Sequence, residues 1–195
     1  NSQNKEIFSQ ELSDFQKLTQ NKSIGFRAPT FSLNNSSSWV LDVLTENNYQ
    51  YDSSIVPAKT QLYGMPNAET KPYKISKNNL ENNSKDGKMI EFPLLTTKIL
   101  GKKIPAAGGF YLRALPLKFI YNAIKYNSSM NVPSSFYIHS WELTPEFMPK
   151  LQLPWKEKFI TYYNLKNALP KMTKLLEKFE FTSFERYLKS NNLFN

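Results

Sequence analysis

Cysteine is absent, histidine occurs once and arginine three times in 195 residues. The first absence excludes disulfides, thiolate metal sites and a cysteine nucleophile. The second leaves a single imidazole, His139, the side-chain type whose ordinary titration lies nearest neutrality. No apolar run reaches the length of about 18 residues that reads as a membrane span. The first ten residues, NSQNKEIFSQ, lack the basic-then-apolar pattern of a secretory leader. Scarcity of arginine also bears on the formal charge of +9, because lysine supplies 22 of the 25 basic residues. These lysines are scattered, whereas nucleic-acid readers use arginine forks and clustered basic stripes, so no nucleic-acid partner is expected.

What the chain does have is enough apolar residue, 40% with 14% aromatic, for a packed core, and a length that suits one domain. Phe8, Leu12, Phe15 and Thr19 recur at helical spacing and predict a helix over 6–19. Ile24 to Ala28 reads as a strand stopped by Pro29. The polar run from Asn34 to Ser38 caps a second helix carrying Trp39, Val40, Val43 and Leu44. Tyr49 to Asp52 then reads as a strand, and strand, helix, strand with short connections is the mark of a parallel α/β unit. Lys59 to Lys88, rich in Pro, Asn, Lys and Ser, reads as a long surface excursion. Strands are expected over Met89–Pro93, Ile104–Leu112 and Phe136–His139, and helices from Pro116, Pro154 and Ala168. Gly108-Gly109 marks a tight backbone position.

Three segments carry chemistry: GFRAPTF from Gly25, YDSS from Tyr51 and FYIHSWE from Phe136. Each follows a predicted strand, and ligands of parallel α/β proteins gather at the C-terminal ends of strands. Arg27, Asp52 and His139 at three such ends suit hydrolysis, as an anchoring cation, a carboxylate and an imidazole. Bland readings stand beside these roles. Arg27 suits a surface ion pair, His139 a satisfied core position, and Asp52 a cap of the turn through Ser53 and Ser54. Trp141 and Glu142 suit either a sugar groove or packing at its rim.

Together GFRAPTFS, the helix W-x-x-D-x-L with YDSSIVP, and YIHSWEL resemble the polysaccharide deacetylase family (carbohydrate esterase family 4, NodB-like). AAGGFYLRALP ahead of YIHSWEL is similar to the subgroup with a C-terminal extension found in exopolysaccharide gene clusters. The resemblance runs from about Phe8 to Leu188. It implies an α/β fold, the C-terminal part of a distorted (β/α) barrel, as one domain over 1–195 with the extension from about 89. It also implies removal of N-acetyl groups from an amino-sugar polymer with a divalent metal, commonly zinc.

On this resemblance Arg27 orients the catalytic-base aspartate and His139 protonates the departing amine. Asp52 hydrogen-bonds that histidine, and Thr30 offers a backbone N–H to the oxyanion. Trp141 and Glu142 touch the substrate. The chain departs from the family in lacking the first two motifs, an aspartate pair and an HSxxH pair. With one histidine it cannot build an Asp-His-His metal site. A truncated enzyme is the expected reading, with metal ligands outside this chain and pairing with an N-terminal half or self-association. The rival is a non-catalytic carbohydrate-binding or accessory domain on the same fold. The compartment is left open between the cytoplasm and the cell envelope of a prokaryote.

Overall fold

A computed structural model of the chain describes residues 4–20 and 22–193. The chain resolves into two compact units, Asn1–Pro93 with Thr182–Asn195, and Leu94–Phe181.

In the first unit, α1 (Lys5–Leu18) starts where the Asn4 side chain accepts the Ile7 N–H at 2.9 Å. That capping bond satisfies one of the donors left over at a helix start. Its inner face turns Leu12 into the core and sets Phe8 edge-on against Phe26 and Trp39, both at 5.8 Å between ring centroids. A capping box between Asn34 and Ser37 leads into α2 (Val40–Glu46), which buries Val40, Leu41, Val43 and Leu44. Strands β1 (Gly25–Phe26), β2 (Tyr51–Asp52), β3 (Tyr73–Ile75) and β4 (Met89–Glu91) form one sheet in the order β1-β2-β4-β3. The β1–β2 and β2–β4 pairs are parallel and β3 runs antiparallel to β4. The α/β class read from the sequence is therefore the class of the structure. At position 25 glycine leaves room for the Tyr51 ring, which an added Cβ would overlap and displace. The unit closes with α8 (Phe184–Ser190), which stacks Phe184 on Phe92 at 4.5 Å.

The second unit opens with a hairpin, β5 (Thr96–Ile99) and β6 (Lys102–Pro105). Leu100 and Gly101 both take positive φ in its turn, the geometry that matches strand twist in two-residue hairpins. Then come α3 (Gly109–Ala114), α4 (Leu117–Ser129), α5 (Ser140–Leu143), α6 (Trp155–Tyr162) and α7 (Ala168–Lys178). Lys171 of α7 donates to the carbonyls of Leu112, Arg113 and Leu115 at 3.0, 3.0 and 2.7 Å. A cation there satisfies the carbonyls that a helix end leaves over, and complements its dipole.

Three expectations change. The 59–88 stretch is no mere surface excursion, for it carries β3 and buries Ala68, Tyr73, Ile75 and Leu80. The strand expected over Ile104–Leu112 ends at Pro105, and α3 begins at Gly109. Phe136–His139 is extended but joins no ladder, and its nearest pairing is the single bridge Leu94↔Ser135. Its side chains are only partly covered, so an apolar sequence here reflects packing rather than a sheet position.

Among the described residues no helix is long and apolar enough to cross a membrane.

Candidate functional site

His139 is the N-cap of α5. Its side chain is 47% exposed, so the ring is open to solvent while its carboxylate partner, Glu142, is not. Nδ1 lies 3.3 Å from Glu142 Oε2, which also accepts the His139 backbone N–H at 3.1 Å. Nε2 meets the Tyr137 hydroxyl at 2.5 Å, and Trp141 stacks on the ring at 5.4 Å between centroids. A carboxylate on Nδ1 fixes the tautomer with the proton on that nitrogen, and leaves Nε2 to accept the Tyr137 hydroxyl proton.

Glu142 is itself buried, 2% exposed, and takes Arg113 Nη2 on its other oxygen at 2.9 Å. Arg113 is equally buried and uses its remaining donors on backbone carbonyls. Nε reaches Gly109 at 3.1 Å, Nη2 reaches Ile160 at 3.1 Å, and Nη1 reaches Thr161 at 3.3 Å and Tyr163. The result is a chain Arg113–Glu142–His139–Tyr137, buried at one end and exposed at the other. Gly109 is what lets it close, since a Cβ there would overlap the Glu142 carboxylate.

The Glu142 side chain is packed in the interior. Its carboxylate is turned inward, to Arg113 and the imidazole. Trp141 is half-buried beside His139, in a position to touch a ligand there. The carboxylate at His139 Nδ1 is that of Glu142, three residues along on α5.

Asp52 is wholly buried at the end of β2 and accepts the Ser54 hydroxyl at 2.6 Å, close to the turn-capping reading. Arg27, just past β1, donates from Nε to the Ser53 carbonyl and from Nη2 to the Ser53 hydroxyl, both at 2.7 Å. Ser53 in turn donates to the Phe92 carbonyl at 2.8 Å. An apolar groove of about 340 Å³ between α1 and β1, lined by Phe8, Leu12, Phe15, Phe26 and Tyr49, has Arg27 on its wall. Thr30 is exposed, takes φ +54°, and its N–H meets no acceptor among the described residues. A β-branched residue in the left-handed region is strained. Thr30→Gly should therefore raise stability by about 1 kcal/mol, read as a higher urea midpoint.

Glu91, which the sequence reading passes over, lies fully buried next to Asp52 across the β2–β4 ladder. Its signal was a lone carboxylate inside the apolar run Met89–Leu95. Burial pushes both carboxyls above their usual range, Glu91 the further because the Asp52 charge adds to it.

Among the described residues no three His, Cys, Asp or Glu side chains gather so as to hold a metal ion. No step below runs through the metal that the resemblance implies.

A mixed α/β chain with an imidazole anchored on a buried ion pair is the class that fold and site define. The chain belongs to the family described as Domain of unknown function (DUF3473), which it matches over residues 53–189. That span holds Glu91, Arg113, His139 and Glu142, and leaves Arg27, Thr30 and Asp52 outside. No curated protein and no solved structure matches the chain.

Proposed function

We propose that this chain serves a polysaccharide deacetylase, supplying the general acid that protonates the amine released from an N-acetylated amino-sugar polymer. The observation that carries the reading is the anchored imidazole: a solvent-open ring whose Nδ1 faces a carboxylate that Arg113 fixes from behind. Loss of an amine from a tetrahedral intermediate requires a proton on nitrogen as the C–N bond breaks. The imidazolium of His139 can give that proton from Nε2 once the Tyr137 hydroxyl, which meets Nε2 in the resting site, yields its place to the departing nitrogen, while Glu142 steadies the positive charge through Nδ1. Tyr137 fixes the other edge of the ring. Trp141 offers an aromatic surface of the kind on which sugars stack.

Arg27 gives two donors to Ser53, and the resemblance assigns it the base-orienting role as well. The activating metal and the base aspartate would come from residues outside this chain, and with them the remaining wall of a (β/α) barrel. On this reading the segment by itself is inactive.

The test is to express the chain with whatever coding sequence precedes Asn1 and supply chitosan precursors of known N-acetylation. Release of acetate with a matching gain of free amine is expected. Binding of the polymer with no acetate released would favour the accessory-domain reading instead.

A further inference from the structure

The buried pair at Asp52 and Glu91 plays no part in the reaction above. Opposed residues on neighbouring parallel strands sit about 4.8 Å apart, so two carboxyl groups share one water-free space. Glu91 takes the backbone N–H of Ile55 at 3.0 Å and of Ser54 at 3.4 Å. Asp52 Oδ1 takes the Ser54 hydroxyl, and that hydroxyl's oxygen accepts the Ala28 N–H at 2.8 Å. Asp52 Oδ2 is buried and finds no donor among the described residues. Two ionised carboxylates in one dry space repel, and an unsatisfied charged oxygen there is strongly unfavourable. One proton placed between the two acids removes both difficulties.

We propose that Asp52 and Glu91 share a single proton, and that this carboxyl–carboxylate pair is the positioning device that holds the Ser53–Ser54 corner and, through it, Arg27. The proton rests on Glu91, because the Arg27 charge and the Ser54 hydroxyl favour the carboxylate on Asp52. Tyr73 of β3 faces the same space, where burial and the two acids hold its phenol neutral. Glu69 and Glu81 are the other acids close enough to act on that phenol. Ser54 ties the pair to Ala28 while Ser53 takes two arginine donors, so residues 52–54 form one continuous link from the acids to the guanidinium. The inference stands whether or not the proposed reaction does.

The sign of its pH dependence follows from linkage. In the unfolded chain Glu91 loses its proton near pH 4.3, roughly the value for a free side chain. The folded chain keeps that proton, so folded stability is greatest at low pH and declines as pH rises from about 5 towards the raised folded value. Glu91→Gln replaces the shared proton with an amide N–H and keeps the acceptor for Ile55.

The experiment compares urea unfolding of the chain and of Glu91→Gln between pH 5 and 8. The ratio of their unfolding constants is expected to grow with pH, by up to about tenfold per unit for as long as the folded chain keeps the proton. A ratio that stays constant overturns the shared proton. The positioning half is read from the Nε–H resonance of Arg27, one of only three arginines. Glu91→Gln should leave its exchange with water unchanged. Glu91→Leu, and Ser54→Ala in case the former does not fold, should speed it at least tenfold. Unchanged exchange in whichever of these folds overturns the positioning claim.

Discussion

Arg113→Met is expected to destabilise the chain by about 3–5 kcal/mol, a large share of the stability of a domain this size. The guanidinium is buried and every donor group is engaged, four carbonyls and one carboxylate. Methionine fills a similar volume but leaves the Glu142 charge buried and unpaired, and that uncompensated charge is the main source of the loss. The carbonyls of Ile160, Thr161 and Tyr163 also lose their donor, so the segment from α6 towards α7 loosens with it. Arg113→Lys keeps the charge but cannot reach all of these groups at once, and should fall between the two. Thermal or urea unfolding of the three proteins ranks them. The double change Arg113→Met with Glu142→Leu removes both charges and should recover part of the loss, because an apolar pair of similar volume is often no worse than the ion pair it replaces.

His139→Ala, in a protein that releases acetate, should lower turnover roughly 10²–10⁴-fold, the usual contribution of a positioned general acid. Fold and stability should change little, since the ring is 47% exposed and its partners Glu142 and Arg113 remain paired with each other. Glu142→Gln separates orientation from acidity. The amide keeps one acceptor oxygen, for Arg113 or for the His139 backbone N–H but not both, and no longer supports an imidazolium, so turnover should drop while KM moves little. Parallel assays of acetate release and polymer affinity decide this. Loss of affinity with turnover intact would make His139 a binding residue.

The strand–helix–strand of β1, α2 and β2 was legible because each piece announces itself locally, by the stop at Pro29, the polar capping run from Asn34 to Ser38 and the apolar face of Trp39, Val40, Val43 and Leu44. β3 was not, because Tyr73-Lys74-Ile75 is too short to show a period and its pairing with β4 is set by tertiary contact. Phe136–His139 was misread for a related reason: a short apolar run looks the same whether it lies in a sheet or merely packs against neighbours.

At the site, His139 was legible as the only histidine. The partner of Glu142 was not, since Arg113 lies 29 residues earlier and nothing local ties them. Gly109 was legible as a backbone requirement, although the reason, room for the Glu142 carboxylate, needed the fold. Glu91 carried a signal too, an acid within an apolar strand, which on the buried face has to be neutralised by proton or partner.

The account rests on the buried Arg113–Glu142 pair setting the proton on His139. With one histidine in the chain, ¹⁵N labelling of that residue gives a spectrum that needs no assignment. The neutral ring should show its proton on Nδ1, with Nε2 as the acceptor facing Tyr137, and Glu142→Gln should weaken that preference. A neutral ring with its proton on Nε2, or one averaging freely between the two forms and indifferent to Glu142→Gln, would contradict it.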